Sequence, residues 1–276
     1  MKRACVIGWP IEHSCSPLIH GYWLKSYGIE GSYTKEAVRP EDVAAFLGTL
    51  GERGFEGCNV TVPHKEAAFA AAQLKDASAV AVGAANTLWR KGDKLVCANT
   101  DTYGFMTHLQ VSAPGWANRD APVAILGAGG AARAIVFGFI EAGVGEVRVF
   151  NRSRERAESL ARHFGPMVKA MDWDERERAS RNACVVVNTT SLGMKSEGSP
   201  GIDFSRFNRD CIAADIVYVP LETEFLKAAK AHGLKTVDGL GMLLHQAVPG
   251  FEKWFGRRPD VTPELRALIV AGIEGR

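Results

Sequence analysis

The sequence is poor in net charge and in long apolar segments. Its 33 lysines and arginines nearly balance 31 aspartates and glutamates, which leaves a formal charge of +2. This balance gives no reason to expect a nucleic acid or a membrane surface as a partner. No stretch approaches the ~20 apolar residues that a membrane-spanning helix needs. The apolar run after Arg3 is interrupted by Gly8 and Pro10, so we expect a soluble, cytoplasmic protein.

Cysteine is also sparse and unpatterned. None of the cysteines forms a C-x-x-C motif or a histidine-paired spacing of the kind that binds zinc; the six are Cys5, Cys15, Cys58, Cys97, Cys184 and Cys211. We therefore expect reduced thiols and no metal site. A chain of 276 residues can bury a substantial core without disulfides or metals, and its length favours two domains.

The stretch around which the chain is organised is an apolar run that ends at glycines and then becomes helical. Residues 123–126 read as a buried strand, and Gly127, Gly129 and Ala132 follow in the pattern G-x-G-x-x-G/A. Glycine permits a sharp turn and a close approach of the backbone to a pyrophosphate. The N-terminus of the following helix favours the same anion. The pattern therefore predicts a Rossmann-like dinucleotide site.

The next predicted strand, residues 146–150, ends at Asn151-Arg152-Ser153-Arg154, roughly 20 residues beyond the glycines. Such folds contact the adenosine ribose at this position, where an acidic residue would accept a hydrogen bond from a free 2′-hydroxyl. This chain instead offers an amide and two arginines, which can pair with a phosphate. The residues favour NADP over NAD.

Polar residues recur where the predicted strands of the first hundred residues end. Open α/β sheets bind ligands at such ends, and neutral donors and acceptors suit a polyhydroxylated small molecule, with a cation left for a carboxylate or a reacting oxygen. The residues are Ser14, Ser16, Asn59, Thr61, Lys65, Asn86 and Asp101. The local pattern predicts a helix that begins at Pro17 with Ser16 as its cap, a strand over 58–62, and a hairpin through 91–94.

The motifs described above belong to a series of short stretches that runs along the whole chain. These stretches are residues 6–17, 57–65, 83–87, 99–104, 127–134, 151–153, 188–194, 215–218, 238–243 and 245–247. In content and order they closely resemble the shikimate dehydrogenase family over the whole chain. The resemblance implies a two-domain α/β fold. Residues 1–103, with 239–276 returning to them, would bind the substrate, and residues 104–238 would form a Rossmann-like, doubly wound parallel sheet for NADP. A cleft between the two would hold the active site.

The resemblance further implies a reversible, NADPH-dependent reduction of 3-dehydroshikimate to shikimate, with Lys65 and Asp101 as the catalytic pair. Hydride arriving at a carbonyl carbon leaves charge on oxygen, which a nearby ammonium can stabilise and protonate. The implied substrate contacts are Ser14, Ser16, Asn59, Thr61, Lys65, Asn86, Asp101, Tyr218 and Gln246. The implied coenzyme contacts are Gly127, Ala128, Gly129, Gly130, Ala131, Asn151, Arg152, Ser153, Arg154, Thr190, Ser191, Val217, Gly239 and Met242.

Three alternatives stay open at this point. A quinate/shikimate dehydrogenase that uses NAD would share the motifs but favour an acidic residue near position 151. A bifunctional folate dehydrogenase would have a related coenzyme domain without the paired serines. A non-catalytic NADP-binding regulatory module would bind coenzyme without turnover, and the presence of both Lys65 and Asp101 argues against it. The sequence leaves the oligomeric state open, with a homodimer as one candidate.

Overall fold

The structure, a computed structural model, describes residues 1–118 and 120–275. The chain divides into two compact units: Met1–Asp101 with Leu244–Arg276, and Thr102–Leu243. It leaves the first unit within helix α5 (Thr100–Ser112) and returns within helix α9 (Gly239–His245). The sequence-based boundaries near 103 and 238 lie close to these crossings, while the substrate and coenzyme roles of the two domains remain predictions.

The first unit is built on a mixed six-stranded sheet with the order β2-β1-β3-β5-β6-β4. Strand β1 is parallel to both of its neighbours, whereas β3 pairs with β5, and β5 with β6, in antiparallel fashion. The predicted hairpin is confirmed, because Lys91 pairs with Lys94 across a turn in which Gly92 has φ 61°. The strands are β1 (Lys2–Gly8), β2 (Gly31–Ala37), β3 (Gly57–Val60), β4 (Leu74–Lys75), β5 (Thr87–Lys91) and β6 (Lys94–Ala98).

The helices of the first unit follow strands or return from the end of the chain. They are α1 (Ser16–Ser26), α2 (Val43–Gly48), α3 (Lys65–Ala71), α4 (Ala77–Val82), α10 (Ala247–Phe255) and α11 (Pro263–Glu274). Helix α1 begins one residue earlier than predicted, and Cys15 rather than Ser16 is the cap residue. The hydroxyl of Ser14 accepts the N–H of Ser16 at 3.3 Å, so the serine that bonds to the start of this helix is Ser14.

Strand β3 is shorter than predicted. It ends at Val60, and Val62 is 67% exposed instead of lying on the buried face. The amide of Thr61 still donates to the carbonyl of Ile7 at 2.9 Å, and the amide of His64 then donates back to the carbonyl of Thr61 at 3.0 Å. This turn takes the chain directly into α3, so that Lys65 is its first residue.

The second unit is built on a six-stranded sheet in which every pairing is parallel, with the order β12-β11-β10-β7-β8-β9. This is the 3-2-1-4-5-6 arrangement of doubly wound dinucleotide-binding sheets, which confirms the predicted fold class. The strands are β7 (Val123–Leu126), β8 (Val147–Asn151), β9 (Val168–Asp172), β10 (Val185–Asn188), β11 (Ile212–Asp215) and β12 (Lys235–Val237), and the crossing helices include α6 (Gly130–Glu141), α7 (Arg154–Phe164) and α8 (Glu224–Ala231).

The central strands of this sheet are buried on both faces. Val123 and Ile125 belong to one apolar cluster, while Ala124 and Leu126 belong to another. Alternate residues of a strand point to opposite faces, and helices cover both faces of a parallel sheet. The strand order reverses between β7 and β10, which places the ligand-binding edge at Gly127 and Thr189, directly after these two strands.

Candidate active site

The predicted catalytic pair is brought into direct contact in the first unit. The Nζ atom of Lys65, in the first turn of α3, lies 2.6 Å from Oδ2 of Asp101, in the first turn of α5. The side chains are 30% and 15% exposed, so the pair is accessible from one side and shielded on the other. Both helices begin just beyond strands of the same sheet, which is why residues 36 positions apart meet.

The amide of Asn86 holds the other oxygen of Asp101. Its Nδ2 donates to Oδ1 of Asp101 at 2.9 Å, and its Oδ1 accepts from both the N–H and the hydroxyl of Thr100, at 2.8 and 3.0 Å. Because a backbone N–H can only donate, it faces the amide oxygen and turns the amide nitrogen toward the carboxylate. Each carboxylate oxygen of Asp101 therefore has a fixed donor.

Asn59 is buried behind this pair, with 5% of its surface exposed. Its Nδ2 donates to the carbonyl of Asn86 at 3.1 Å and to the hydroxyl of Thr87 at 3.0 Å. The hydroxyl of Tyr33 donates to its Oδ1 at 2.6 Å. The hydroxyl of Thr87 continues the network to Thr100 at 3.0 Å. One buried polar network therefore extends from Tyr33 to Asp101.

The loop after β1 brings the two predicted serines to the same end of the sheet. Ser16 is buried and Ser14 is half-buried. A Cβ at Gly8, the last residue of β1, would lie 2.5 Å from the Thr61 side chain, so only glycine lets β1 and Thr61 approach this closely. The loops after β1 and β3 flank the point where the order of this sheet reverses, which is where open α/β sheets bind ligands.

Two further predicted substrate residues are placed less directly. Gln246, at the start of α10, approaches Asn86 at 3.5 Å, the limit of a hydrogen bond. Tyr218 is half-buried and follows β11 in the second unit. It is therefore not among the side chains that the first unit brings together.

In the second unit, the turn between β7 and α6 has the features that a pyrophosphate site requires. Gly127 has φ +110°, and a Cβ there would meet the hydroxyl of Thr189 at 2.7 Å. A Cβ on Gly129 or Gly130 would meet nothing within 4 Å, so open space lies in front of the first turn of α6. Ala128 and Ala131 are half-buried in this turn. A twelve-residue helix with exposed N-terminal glycines suits a dinucleotide pyrophosphate.

The arginines after β8 differ in their partners. Arg154 forms ion pairs with Asp172 and Glu158. Arg152 is exposed and has no ion-pair partner within residues 1–118 and 120–275. The Nδ2 atom of Asn151 donates to the carbonyl of Ser153 at 2.8 Å, which closes the turn between β8 and α7. Arg152 is therefore the more available cation at this position.

A polar hub orders the loops after β10 and β11. Asn188 and Asp215 are neighbours in the sheet register, and Nδ2 of Asn188 donates to Oδ1 of Asp215 at 3.0 Å. Oδ1 of Asn188 accepts from both the N–H and the hydroxyl of Thr190, while Asp215 accepts from the N–H of Val217 at 2.9 Å and from the hydroxyl of Thr223 at 2.7 Å. Burial raises the pKa of Asp215 to about 6, against the opposing effect of these donors.

The remaining predicted coenzyme residues lie around this hub. Ser191 is exposed, next to Thr190. A Cβ at Gly239 would lie 2.4 Å from the carbonyl oxygen of Ile216, so glycine is required beside the loop that holds Val217. Met242 packs against the apolar cluster that includes Val123 and Ile125. Its side chain therefore has a packing role whether or not it borders a coenzyme.

Sequence reasoning did not single out several residues of these networks: Tyr33, Thr87, Thr100, Asn188 and Asp215. One signal was present for the last two, because each is a polar residue that ends an otherwise apolar strand. The first three gave no such signal, because the fold brings their hydroxyls to side chains that are distant in sequence: Tyr33 to Asn59, and Thr87 to Asn59 and Thr100.

Among the helices formed by residues 1–118 and 120–275, none has both the length and the hydropathy needed to cross a bilayer. In the same part of the chain, no cluster of three or more histidine, cysteine, aspartate or glutamate residues has a geometry suited to a metal ion.

A doubly wound sheet with a glycine turn before its first crossing helix, together with a lysine and an aspartate in direct contact at strand ends, defines the class of two-domain α/β nicotinamide oxidoreductases. Family models extend this assignment along the chain. They match at residues 6–88 (shikimate dehydrogenase substrate binding domain), 113–195 (shikimate / quinate 5-dehydrogenase) and 239–268 (shikimate 5'-dehydrogenase C-terminal domain).

Individual relatives agree with the family models. The chain is 54% identical to a shikimate dehydrogenase (NADP(+)) of Brucella canis, over 98% of this chain and 94% of the relative. It is similar to a crystal structure of the Thermus thermophilus shikimate 5-dehydrogenase in complex with NADP(H) and shikimate, with a TM-score of 0.86, 36% identity and coverage of 100% and 99% of the two chains. A quinate dehydrogenase from Corynebacterium glutamicum in complex with NAD has a TM-score of 0.89, 29% identity and coverage of 98% and 99%.

The chain belongs to the shikimate dehydrogenase family. The predicted family and the predicted class of enzyme, an oxidoreductase, are thereby confirmed. The residues after β8 predicted NADP as the coenzyme, and the name of the Brucella relative specifies NADP(+).

Proposed function

We propose that this chain catalyses the reversible, NADPH-dependent reduction of the ketone of 3-dehydroshikimate to the hydroxyl of shikimate. The observation that carries the proposal is the 2.6 Å contact between Lys65 and Asp101, with Asn86 fixing the second carboxylate oxygen. A charged amine held in this way, at strand ends lined with hydroxyls and amides, suits the reduction of a carbonyl in a polyhydroxylated molecule.

The two charged residues have distinct parts in the proposed reaction. NADPH, when bound, supplies the hydride that reaches the carbonyl carbon. Lys65 stabilises the negative charge that develops on the carbonyl oxygen and donates a proton to it, and in the reverse direction it accepts the proton of the hydroxyl. Asp101 holds Nζ of Lys65 in place and accepts a hydrogen bond from a substrate hydroxyl. Its position is fixed by Asn86, so little reorganisation is required.

The substrate is recognised by neutral groups around this pair. We assign the hydroxyls of Ser14 and Ser16 to the substrate carboxylate, and Thr61, Asn86 and Gln246 to its hydroxyl groups. Asn59 holds the wall of the site: protein groups engage both N–H bonds of its amide and one lone pair of its oxygen, and the second lone pair is left for the substrate. Tyr218 is assigned to the substrate from the second unit.

The residues of the second unit fit a phosphorylated dinucleotide. The proposal places the pyrophosphate at the open first turn of α6, where Gly129 and Gly130 leave the backbone exposed and Gly127 makes the tight turn before it. Arg152 pairs with the 2′-phosphate, since its guanidinium has no carboxylate partner in the described residues. Asn151 and Ser153 shape the turn beside it, and Thr190, Ser191, Val217, Gly239 and Met242 border the ribose and nicotinamide. Arg154 is assigned a minor part beside the phosphate, because Asp172 and Glu158 already pair with its guanidinium.

One assay separates this function from its alternatives. Purified protein is incubated with shikimate or quinate and with NADP or NAD, and reduced coenzyme is followed by absorbance. We expect turnover with shikimate and NADP well above the other three combinations. A preference for quinate or for NAD would support the quinate/shikimate alternative, and binding of NADP without turnover would support a regulatory module.

We also propose a homodimeric assembly and a cytoplasmic location. The assembly is tested by light scattering during size-exclusion chromatography. A mass near 29.8 kDa, that of one chain, would reject the homodimer. A cytoplasmic location is supported by the free thiols at Cys5, Cys15, Cys58, Cys97, Cys184 and Cys211, because reduced cysteines are typical of that compartment.

A further inference from the structure

A buried tyrosine contacts one of the proposed substrate residues, Asn59. Tyr33 lies on β2, 9% exposed, and its ring stacks on that of His20 at a centroid distance of 4.0 Å. The hydroxyl, its only polar side-chain atom, lies 2.6 Å from Oδ1 of Asn59. None of the sequence motifs includes this residue, and the proposed reaction does not use it.

The direction of this hydrogen bond follows from the other partners of Asn59. The carbonyl of Asn86, 3.1 Å from Nδ2 of Asn59, can only accept. The amide nitrogen must therefore face that carbonyl, and the amide oxygen must face Tyr33. The Tyr33 hydroxyl is consequently the donor, and it is the group that fixes the oxygen side of this amide.

We propose that Tyr33 is a positioning residue for the substrate: its hydroxyl holds the oxygen side of the Asn59 amide, so that this amide keeps one fixed orientation toward the bound acid. This assignment rests on the proposed function. It places the effect of Tyr33 on substrate affinity rather than on proton transfer, because Lys65 and Asp101 are held by Asn86 and not by Tyr33.

The test is Tyr33→Phe, which keeps the ring stacked on His20 and removes only the hydroxyl. We expect KM for shikimate to rise about tenfold, equivalent to about 1.4 kcal/mol, with kcat lowered less than threefold and KM for NADP unchanged. Tyr22→Phe is the matched control. It removes a tyrosine hydroxyl of the same unit that is bonded to Thr262 at 3.1 Å, and we expect it to leave KM for shikimate unchanged.

A double-variant cycle shows whether Tyr33 acts through Asn59. In an Asn59→Ala background, Tyr33→Phe should raise KM by much less than in the wild type, because the amide it orients is gone. An unchanged KM in Tyr33→Phe, or an equal rise in both backgrounds, would overturn the assignment. A merely structural role would lower the melting temperature of both tyrosine variants without separating their KM values.

If Tyr33→Phe folds poorly, variants of Thr87 test the orientation of the Asn59 amide instead. Thr87→Val removes the hydroxyl that accepts from Nδ2 of Asn59 at 3.0 Å, and Thr87→Ser retains it. KM for shikimate should rise in the first only, and equal values would overturn the assignment. The wild type is assayed first: absence of turnover with shikimate rejects the proposed function and this assignment together, whereas turnover with an unaffected Tyr33→Phe rejects the assignment alone.

Discussion

The buried His20 should make the first unit sensitive to acid. Its side chain is fully buried against Trp23, Tyr33, Phe251 and Trp254, and neither ring nitrogen has a well-formed hydrogen bond in the described residues. Burial lowers the pKa of His20 to about 3, from an ordinary value of 6.5, and outweighs the opposing effect of the Asn59 side chain. The folded protein therefore keeps this histidine neutral at pH values where the unfolded chain protonates it.

The sign and size of the effect follow from proton linkage. Between pH 6.5 and 3 the unfolded state binds one more proton at this position than the folded state, so the free energy of unfolding falls as the pH falls. The slope approaches about 1.4 kcal/mol per pH unit. The loss between pH 7 and pH 5 is about 2 kcal/mol, and it is small above pH 7.

The assay is urea unfolding at pH 7, 6 and 5, followed by tryptophan fluorescence, to which Trp23 and Trp254 beside His20 contribute. His20→Gln removes the titration at similar volume and should reduce the pH-dependent loss by about 2 kcal/mol relative to the wild type, whatever its absolute stability. His13→Gln, at an exposed histidine of the same unit, is the control and should retain the wild-type slope. Equal pH slopes for His20→Gln and the wild type would refute the reasoning.

Two further predictions concern the coenzyme. Arg152→Gln should raise KM for NADP about tenfold or more and leave KM for NAD unchanged, whereas Arg154→Gln should have a smaller effect because Asp172 already pairs with that guanidinium; equal losses in steady-state kinetics would contradict the assignment. Gly127→Ala should lower the melting temperature and weaken NADP binding in a fluorescence titration, because φ +110° costs a non-glycine residue about 1–3 kcal/mol. Gly145→Ala, where a Cβ meets nothing within 4 Å, should change neither, and equal effects would reject the steric argument.

The coenzyme-binding unit was predictable because its signals are local. The run of apolar residues before Gly127, the small residues after it, and the basic residues after β8 are all contiguous in sequence. Propensity and spacing could not show that Arg154 is engaged by Asp172, since the two residues come together only when β8 and β9 pair.

The proposed substrate site was predictable at the level of which residues end strands, but not in its detailed bonding. Asn59 and Asn86 were identified as polar groups at strand ends. Their orientations, however, depend on Tyr33, Thr87 and Thr100, which reach them through pairings across the sheet. The early end of β3 has a local origin that the alternation of its residues did not indicate: the amide of His64 donates to the carbonyl of Thr61 and turns the chain there.

The most direct test of the account is the kinetics of Lys65→Ala with shikimate and NADP. Turnover should fall by at least about 100-fold, because no other cation contacts Asp101 in the described residues, while the dissociation constant for NADP should be nearly unchanged. Lys91→Ala, at an exposed lysine of the hairpin, should retain wild-type kinetics. Turnover of Lys65→Ala within a few-fold of the wild type, or loss of NADP binding with unaltered chemistry, would contradict the role assigned to this lysine.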